Sequence, residues 1–292
     1  VIPKFDKDSS FSFVKNQVDF GPRVPNTEAH KACADFLAQK LSDFGATVTL
    51  QKFDATAYDG TKLKGVNIIG SINPNHSKRV VLAAHWDTRH ITDSPLNTSG
   101  NQSPNLGADD GASGVGVWLE VARLVQENPI DLGIDIVFFD LEDYGQSSDE
   151  KSWGLGAQYW SKNPHINGYK AEWGILLDMV GAKNAHFPRE QFSVYFAPDL
   201  VASVWSLAQR MGYGNFFTNT DGGAITDDHY FVNTIAKIPM IDIIHRPVNS
   251  TTGFAEHWHT SNDNLDIIDK NTLNAVGQVM LAVLYRKASG NL

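Results

Sequence analysis

Val80-Val81-Leu82-Ala83-Ala84-His85-Trp86-Asp87 joins a short apolar run to a polar tip, and this pairing organises the chain. An apolar run of this kind suits a strand buried on both faces of a sheet. Residues 66–72, 134–139, 173–180 and 238–244 read as strands in the same way. The stretch 47–51 alternates instead, with Val48 and Leu50 on one face, as in a half-buried strand. Between the strands, residues 8–18, 27–44, 112–126, 154–162, 200–211 and 271–285 read as helices. In 27–44, Ala32, Phe36, Leu37 and Leu41 share a face, and Thr27 followed by Glu28 marks the start. In 112–126, Val115, Leu119 and Ala122 point inward. Buried strands alternating with helices predict an α/β fold, a mixed and mostly parallel central sheet with helices on both faces. The stretch 92–103 is rich in Ser, Asn and Pro but lies between motifs that belong together. With no linker and no internal repeat, 1–292 reads as a single domain.

Composition narrows the function. The 292 residues carry a formal net charge of −9, with 42% hydrophobic and 20% charged residues. A chain this acidic repels a phosphate backbone, so nucleic acid is excluded as a partner. No run approaches the roughly 18 apolar residues of a membrane span. Cys33 is the single cysteine, so no intrachain disulfide staples the fold. At this length, burial of about three quarters of the chain's surface supplies the core instead. The first residues lack the long apolar stretch of a signal peptide, and the expectation is that one has been removed. The sequence is silent on oligomeric state.

In open α/β sheets, ligands bind at the carboxyl ends of the strands. Polar residues follow the apolar runs here: His85-Trp86-Asp87, Asp140-Leu141-Glu142-Asp143 and Asp178. Gly107-Ala108-Asp109-Asp110-Gly111 opens a helix, and Thr226-Asp227-Asp228-His229 and His257-Trp258-His259-Thr260 come later. A single Asp in such a place is most often a helix cap or a solvated loop residue. Six clusters at one edge of a sheet are not explained that way. Imidazole and carboxylate donors without Cys suit Zn²⁺, whereas Ca²⁺ or Mg²⁺ would want oxygen ligands and little His.

From about residue 27 to the C-terminus, the order of these motifs resembles the co-catalytic zinc aminopeptidase superfamily. That superfamily holds two-zinc aminopeptidases and one-zinc glutaminyl cyclases. Three features are similar to the cyclases: Trp258 before His259, the segment Ile225-Thr226-Asp227-Asp228-His229, and Phe138-Phe139-Asp140-Leu141-Glu142-Asp143. His85-Trp86-Asp87-Thr88-Arg89 resembles their bacterial branch. The resemblance implies cyclisation of N-terminal glutamine of peptides and proteins to pyroglutamate, with release of ammonia. It implies one Zn²⁺ per chain held by Asp110, Asp143 and His259, and a periplasmic or secreted location.

The same resemblance makes Glu142 the proton shuttle, with Asp178 and Asp227 bonding one another and the tetrahedral intermediate. Asp143 stands where the animal enzymes have Glu, and being shorter it requires a closer loop. Asp242 stands where they have His; it is either a third member of the network or a polar strand residue satisfied by backbone. Trp86, Trp153, Ile225, Trp258 and Phe187 are candidates for the wall around the glutamine side chain, with core packing as the alternative for each aromatic. His85 matches a second-zinc ligand of aminopeptidases and is expected to bind no metal. His30, His76, His90 and His165 read as surface residues. A two-zinc aminopeptidase and a non-catalytic binding module on the same fold are the alternative readings.

Overall fold

The computed structural model describes residues 1–98 and 102–292. Residues 99–101, within the polar stretch 92–103, lie outside the described residues. In chain order the strands are β1 (Thr47–Thr56), β2 (Lys62–Ile72), β3 (Arg79–His85), β4 (Gly133–Phe139), β5 (Trp173–Asp178), β6 (Phe187–Arg189), β7 (Phe217–Asp221) and β8 (Met240–Ile244). The helices are α1 (Lys7–Asp19), α2 (Glu28–Asp43), α3 (Ala112–Glu127), α4 (Leu155–Lys162), α5 (Gln191–Phe196), α6 (Pro198–Arg210), α7 (Asp228–Phe231) and α8 (Lys270–Ala288). Six strands form one sheet in the order β1-β2-β4-β3-β5-β8, and β6 pairs with β7 apart from it. The pairs β4/β3, β3/β5 and β5/β8 are parallel, while β1/β2 and β2/β4 are antiparallel.

The central strands show why their sequences are uninterrupted apolar runs. In β3, Val80, Leu82 and Ala84 enter the core formed with α1, α2, α3, α6 and α8, while Val81 and Ala83 enter the core under α4 and α7. β4 divides likewise, with Ile134, Ile136 and Phe138 on one side and Val137 and Phe139 on the other. Both pleat faces are dry, so no polar alternation is permitted. The chain leaves β3 through α3 to β4 on one side and returns through α4 to β5 on the other. This reversal of direction opens a crevice at the strands' carboxyl ends, the usual ligand position.

Three local readings differ from the structure. β1 is an edge strand and is longer than 47–51; Leu50 is 43% exposed there, because an edge strand has one solvated flank. On α2 the inward face is Cys33, Ala34, Leu37 and Leu41, and Ala32 is exposed. The short elements α5, α7, β6 and β7 have no periodicity long enough to be read from sequence.

Close approach places α3 against β5. A Cβ on Gly114 would run into the carbonyl oxygen of Leu177, one residue before Asp178. Backbone cannot rotate aside as a side chain can, so Gly114→Ala is expected to destabilise by about 1–3 kcal/mol. The midpoint of denaturant unfolding measures this; an unchanged midpoint would mean that α3 is free to shift.

Candidate metal centre and active site

The acidic loops are fastened by carboxylates from other loops. Asp87, just past β3, accepts hydrogen bonds from the backbone N–H groups of Glu142 and Asp143, both at 3.1 Å. Asp263 does the same for Asp109 (2.8 Å) and Asp110 (3.1 Å). Asp109 in turn accepts from Gly181 N–H and contacts His257 Nε2, each at 2.8 Å. Backbone strain collects here: Leu141, Met179 and His259 have φ of +54°, +48° and +52°. Non-glycine residues seldom adopt this left-handed region, and surrounding contacts must hold them in it. Each flanks or is a residue at the site.

Asp110, Asp143 and His259 bring one donor atom each to within 4.8 Å of one another, and all three are buried. His259 Nε2 lies 3.0 Å from Asp143 Oδ1 and 3.5 Å from Asp110 Oδ2. His259 Nδ1 lies 3.2 Å from Asp93 Oδ1, and Asp93 is bound by Arg89. A carboxylate on Nδ1 sets the imidazole so that Nε2 can serve as a ligand. Asp110 Oδ2 and Asp143 Oδ2 are buried without a hydrogen-bond partner. Orphaned carboxylate oxygens facing an imidazole nitrogen fit a zinc ion, which takes N and O donors and leaves a fourth position for substrate.

A second donor group, His85, Asp110 and Asp178, shares Asp110 with the first. His85 Nε2 lies 3.0 Å from Asp110 Oδ1 and 3.4 Å from Asp178 Oδ1, and its Nδ1 lies 3.4 Å from Asp87. Burial opposes charge on this ring, but bonds to Asp110, Asp178 and Asp87 outweigh it and hold the imidazole protonated well above its ordinary range. Burial, opposed by Asp143, Asp93 and Asp110, likewise leaves His259 raised to about 9. Burial pushes Glu142 well above the usual carboxylate range; His85 opposes this, and Asp227, Asp143 and Asp228 add to it. Asp178 is raised by burial and then by the Asp227 charge. Asp242 is raised well above the usual carboxylate range by burial and then by the Asp227 charge.

These groups face a cavity of about 420 Å³. Of the residues singled out in the sequence, Asp110, Glu142, Asp143, Trp153, Asp178, Ile225, Asp227, Trp258 and His259 line it. Trp86 does not. It is fully buried, its indole N–H donates to the Val66 carbonyl, and it stacks on His30 at 4.3 Å. Phe187 is also core, packed on Phe217 and Trp205. Phe187 opens β6 and Trp86 lies one residue past β3, and each turns into the fold where its backbone enters the core. Asp242 does not line the cavity; it is completely buried, its carboxylate oxygens have no hydrogen-bond partner among the described residues, and Oδ2 lies 3.7 Å from His229 Nδ1. It is not satisfied by backbone.

His30 is a buried residue, not a surface one. Its Nε2 meets both oxygens of Asp140 at 2.9 Å, bracing the loop before Glu142. The His165 side chain is buried beside Asp135, and His90 is half-buried against Tyr144. Asp93 and Asp263 are not among the residues picked out by sequence, and His257 appears there only within its cluster, without a role. They sit in loops, and no periodicity marks a residue whose partner is far along the chain.

A family model described as Peptidase family M28 matches residues 67–284. A solved glutaminyl cyclase of Bacteroides thetaiotaomicron, bound to N-acetylhistamine, is 54% identical with a TM-score of 0.95, covering 98% of this chain and 99% of that one. A structure described as a leucine aminopeptidase precursor from Bacteroides thetaiotaomicron is also 54% identical, with a TM-score of 0.94 and 98% of each chain covered. The glutaminyl-peptide cyclotransferase of Drosophila melanogaster is 25% identical over 281 residues, 89% of this chain and 75% of that protein. Across the curated cyclotransferases matched, the chain spans 63–75% of their length.

Proposed function

The chain belongs to peptidase family M28, and we propose that within it this protein is a zinc-dependent glutaminyl-peptide cyclotransferase. The substrates are peptides and proteins with N-terminal glutamine. The likeness to a solved glutaminyl cyclase, 54% identical over nearly the whole chain, together with the likeness to curated glutaminyl-peptide cyclotransferases, supports this choice over a two-zinc aminopeptidase. One zinc per chain then belongs to Asp110, Asp143 and His259.

Held by these three residues, zinc would supply Lewis-acid polarisation of the side-chain carbonyl of the substrate glutamine. Trp153, Ile225 and Trp258 enclose that side chain and exclude water, which would otherwise compete as nucleophile. Glu142, raised by burial, takes a proton from the α-amine as its nitrogen bonds to the side-chain carbonyl carbon. It returns that proton to the amide nitrogen as the carbon–nitrogen bond breaks, and ammonia leaves. Asp178 and Asp227 hold the amine and the tetrahedral centre. Asp242, raised by burial and by the Asp227 charge, holds a proton, because neighbouring buried carboxylates cannot all be charged.

No helix among the described residues is long and apolar enough to cross a membrane. By analogy with the bacterial relatives, the enzyme works in the periplasm or outside the cell. The whole of 1–292 is proposed to act as one domain. The test uses zinc-loaded protein and a Gln-initiated peptide. A product lighter by one ammonia, with one zinc per chain by elemental analysis, is expected. Release of a free N-terminal amino acid, with two tightly bound zincs and His85 as a ligand, would replace the cyclase by an aminopeptidase.

A further inference from the structure

Arg246 lies two residues beyond the end of β8 and lines the same cavity. It is the only Lys or Arg among the described lining residues, which include six carboxylates. Its backbone is anchored, the N–H donating to the His186 carbonyl at 2.9 Å. Its side chain is different. The half-buried guanidinium lies over the Phe254 ring at 5.0 Å and donates no hydrogen bond to any described residue. Gly223 and Gly253, both at positive φ, flank it, and a Cβ on Gly253 would come within 3.0 Å of the guanidinium. A guanidinium has five N–H donors, and a half-buried one that uses none is arranged for something outside the chain. Asp242 and Glu190 influence it only at a distance.

A continuous stack runs from this cation to the metal centre. Phe254 stacks on Trp258 at 4.5 Å, and Trp258 on His259 at 3.9 Å. An extended chain advances about 3.3–3.6 Å per residue. A substrate whose glutamine side chain is seated at His259 and whose chain runs along this stack would bring its second or third residue over Phe254 to Arg246. Glu150, the opposing charge at the rim, is exposed, so solvent and salt weaken it more than they weaken Arg246.

We propose that Arg246 is a specificity residue that selects Gln-initiated peptides carrying Asp or Glu at position two or three. The carboxylate pairs with the guanidinium in the fork geometry that arginine offers. This rests on the cyclotransferase reading and refines it.

The experiment measures kcat/KM of the zinc-loaded enzyme on matched peptides with Glu, Ala or Lys at position two, three or six. A preference for Glu over Ala of about 5–10-fold is expected at positions two or three at low salt. It should be absent at position six and shrink as ionic strength rises. Arg246→Gln should bring the Glu-to-Ala ratio close to one, and Arg246→Lys should keep part of it. Zinc content confirms that each variant is loaded. If Arg246→Gln fails to fold, the salt and position dependence of the natural enzyme decides alone. Conversion of Gln-Ala peptides with no preference for Glu overturns the role of Arg246 and leaves the cyclotransferase standing. Retention of the preference by Arg246→Gln does the same. No conversion of any Gln-initiated peptide removes the functional reading itself.

Discussion

Glu142→Gln lowers turnover by about 10²–10⁴-fold while zinc stays bound. The substitution keeps the shape of the side chain and removes its basicity. Zinc stays because Asp110, Asp143 and His259 are untouched, and because Asp87 still holds the 142–143 backbone. A second signature follows from the environment of Glu142. Burial and then Asp227, Asp143 and Asp228 raise its carboxyl, with only His85 acting against them among its main neighbours. As a base it must be deprotonated, so kcat/KM rises with pH through that elevated value. In Glu142→Gln the Glu142 contribution disappears, and only the limb of the substrate's own α-amine, near about 8, remains. Near-normal turnover in a zinc-loaded variant would show that another group moves the proton.

The second large effect concerns Asp178 and Asp227. Each single Asn variant is expected to lose about 10²–10³-fold in turnover, the usual cost of removing one preorganised group from a transition state. Asp178→Asn should keep one zinc, since Asp178 is not among Asp110, Asp143 and His259, the proposed zinc donors. In a two-zinc peptidase the same change would lower metal content. Asp227 is the neighbour whose charge weighs most on both Asp178 and Asp242. Coupled groups of this kind act as a unit, so the double Asn variant should be little worse than either single one. Rates that multiply cleanly would mean that the two aspartates work independently.

The short elements show where sequence reading stops. α7 is one turn, capped by Asp227 through a 2.6 Å bond to the Asp228 N–H, and it positions Asp227 at the cavity. A single turn carries no helical period. Glu190 was not singled out, yet its two oxygens accept from Phe192, Ser193 and Ile225 N–H and meet His229 Nε2 at 2.9 Å. This places Phe192 and Ile225 in the wall. The bonds join residues up to 39 positions apart, and nothing local announces them.

Read alone, the sequence settled the alternation of buried strands and helices and the edge of the sheet at which the Asp, Glu and His clusters gather. These follow from covalent order: an apolar run buried on both faces must end at the surface, and the next residues must be polar. Tertiary structure decided the rest. It turned Trp86 and Phe187 into the core, buried Asp242 outside the cavity lining, and put His85 between Asp110 and Asp178. It also left the Arg246 guanidinium over Phe254 with no hydrogen-bond partner among the described residues. The Asp263 clamp on Asp109 spans 154 residues. Such placements depend on which distant loops converge, and neither periodicity nor composition encodes that convergence.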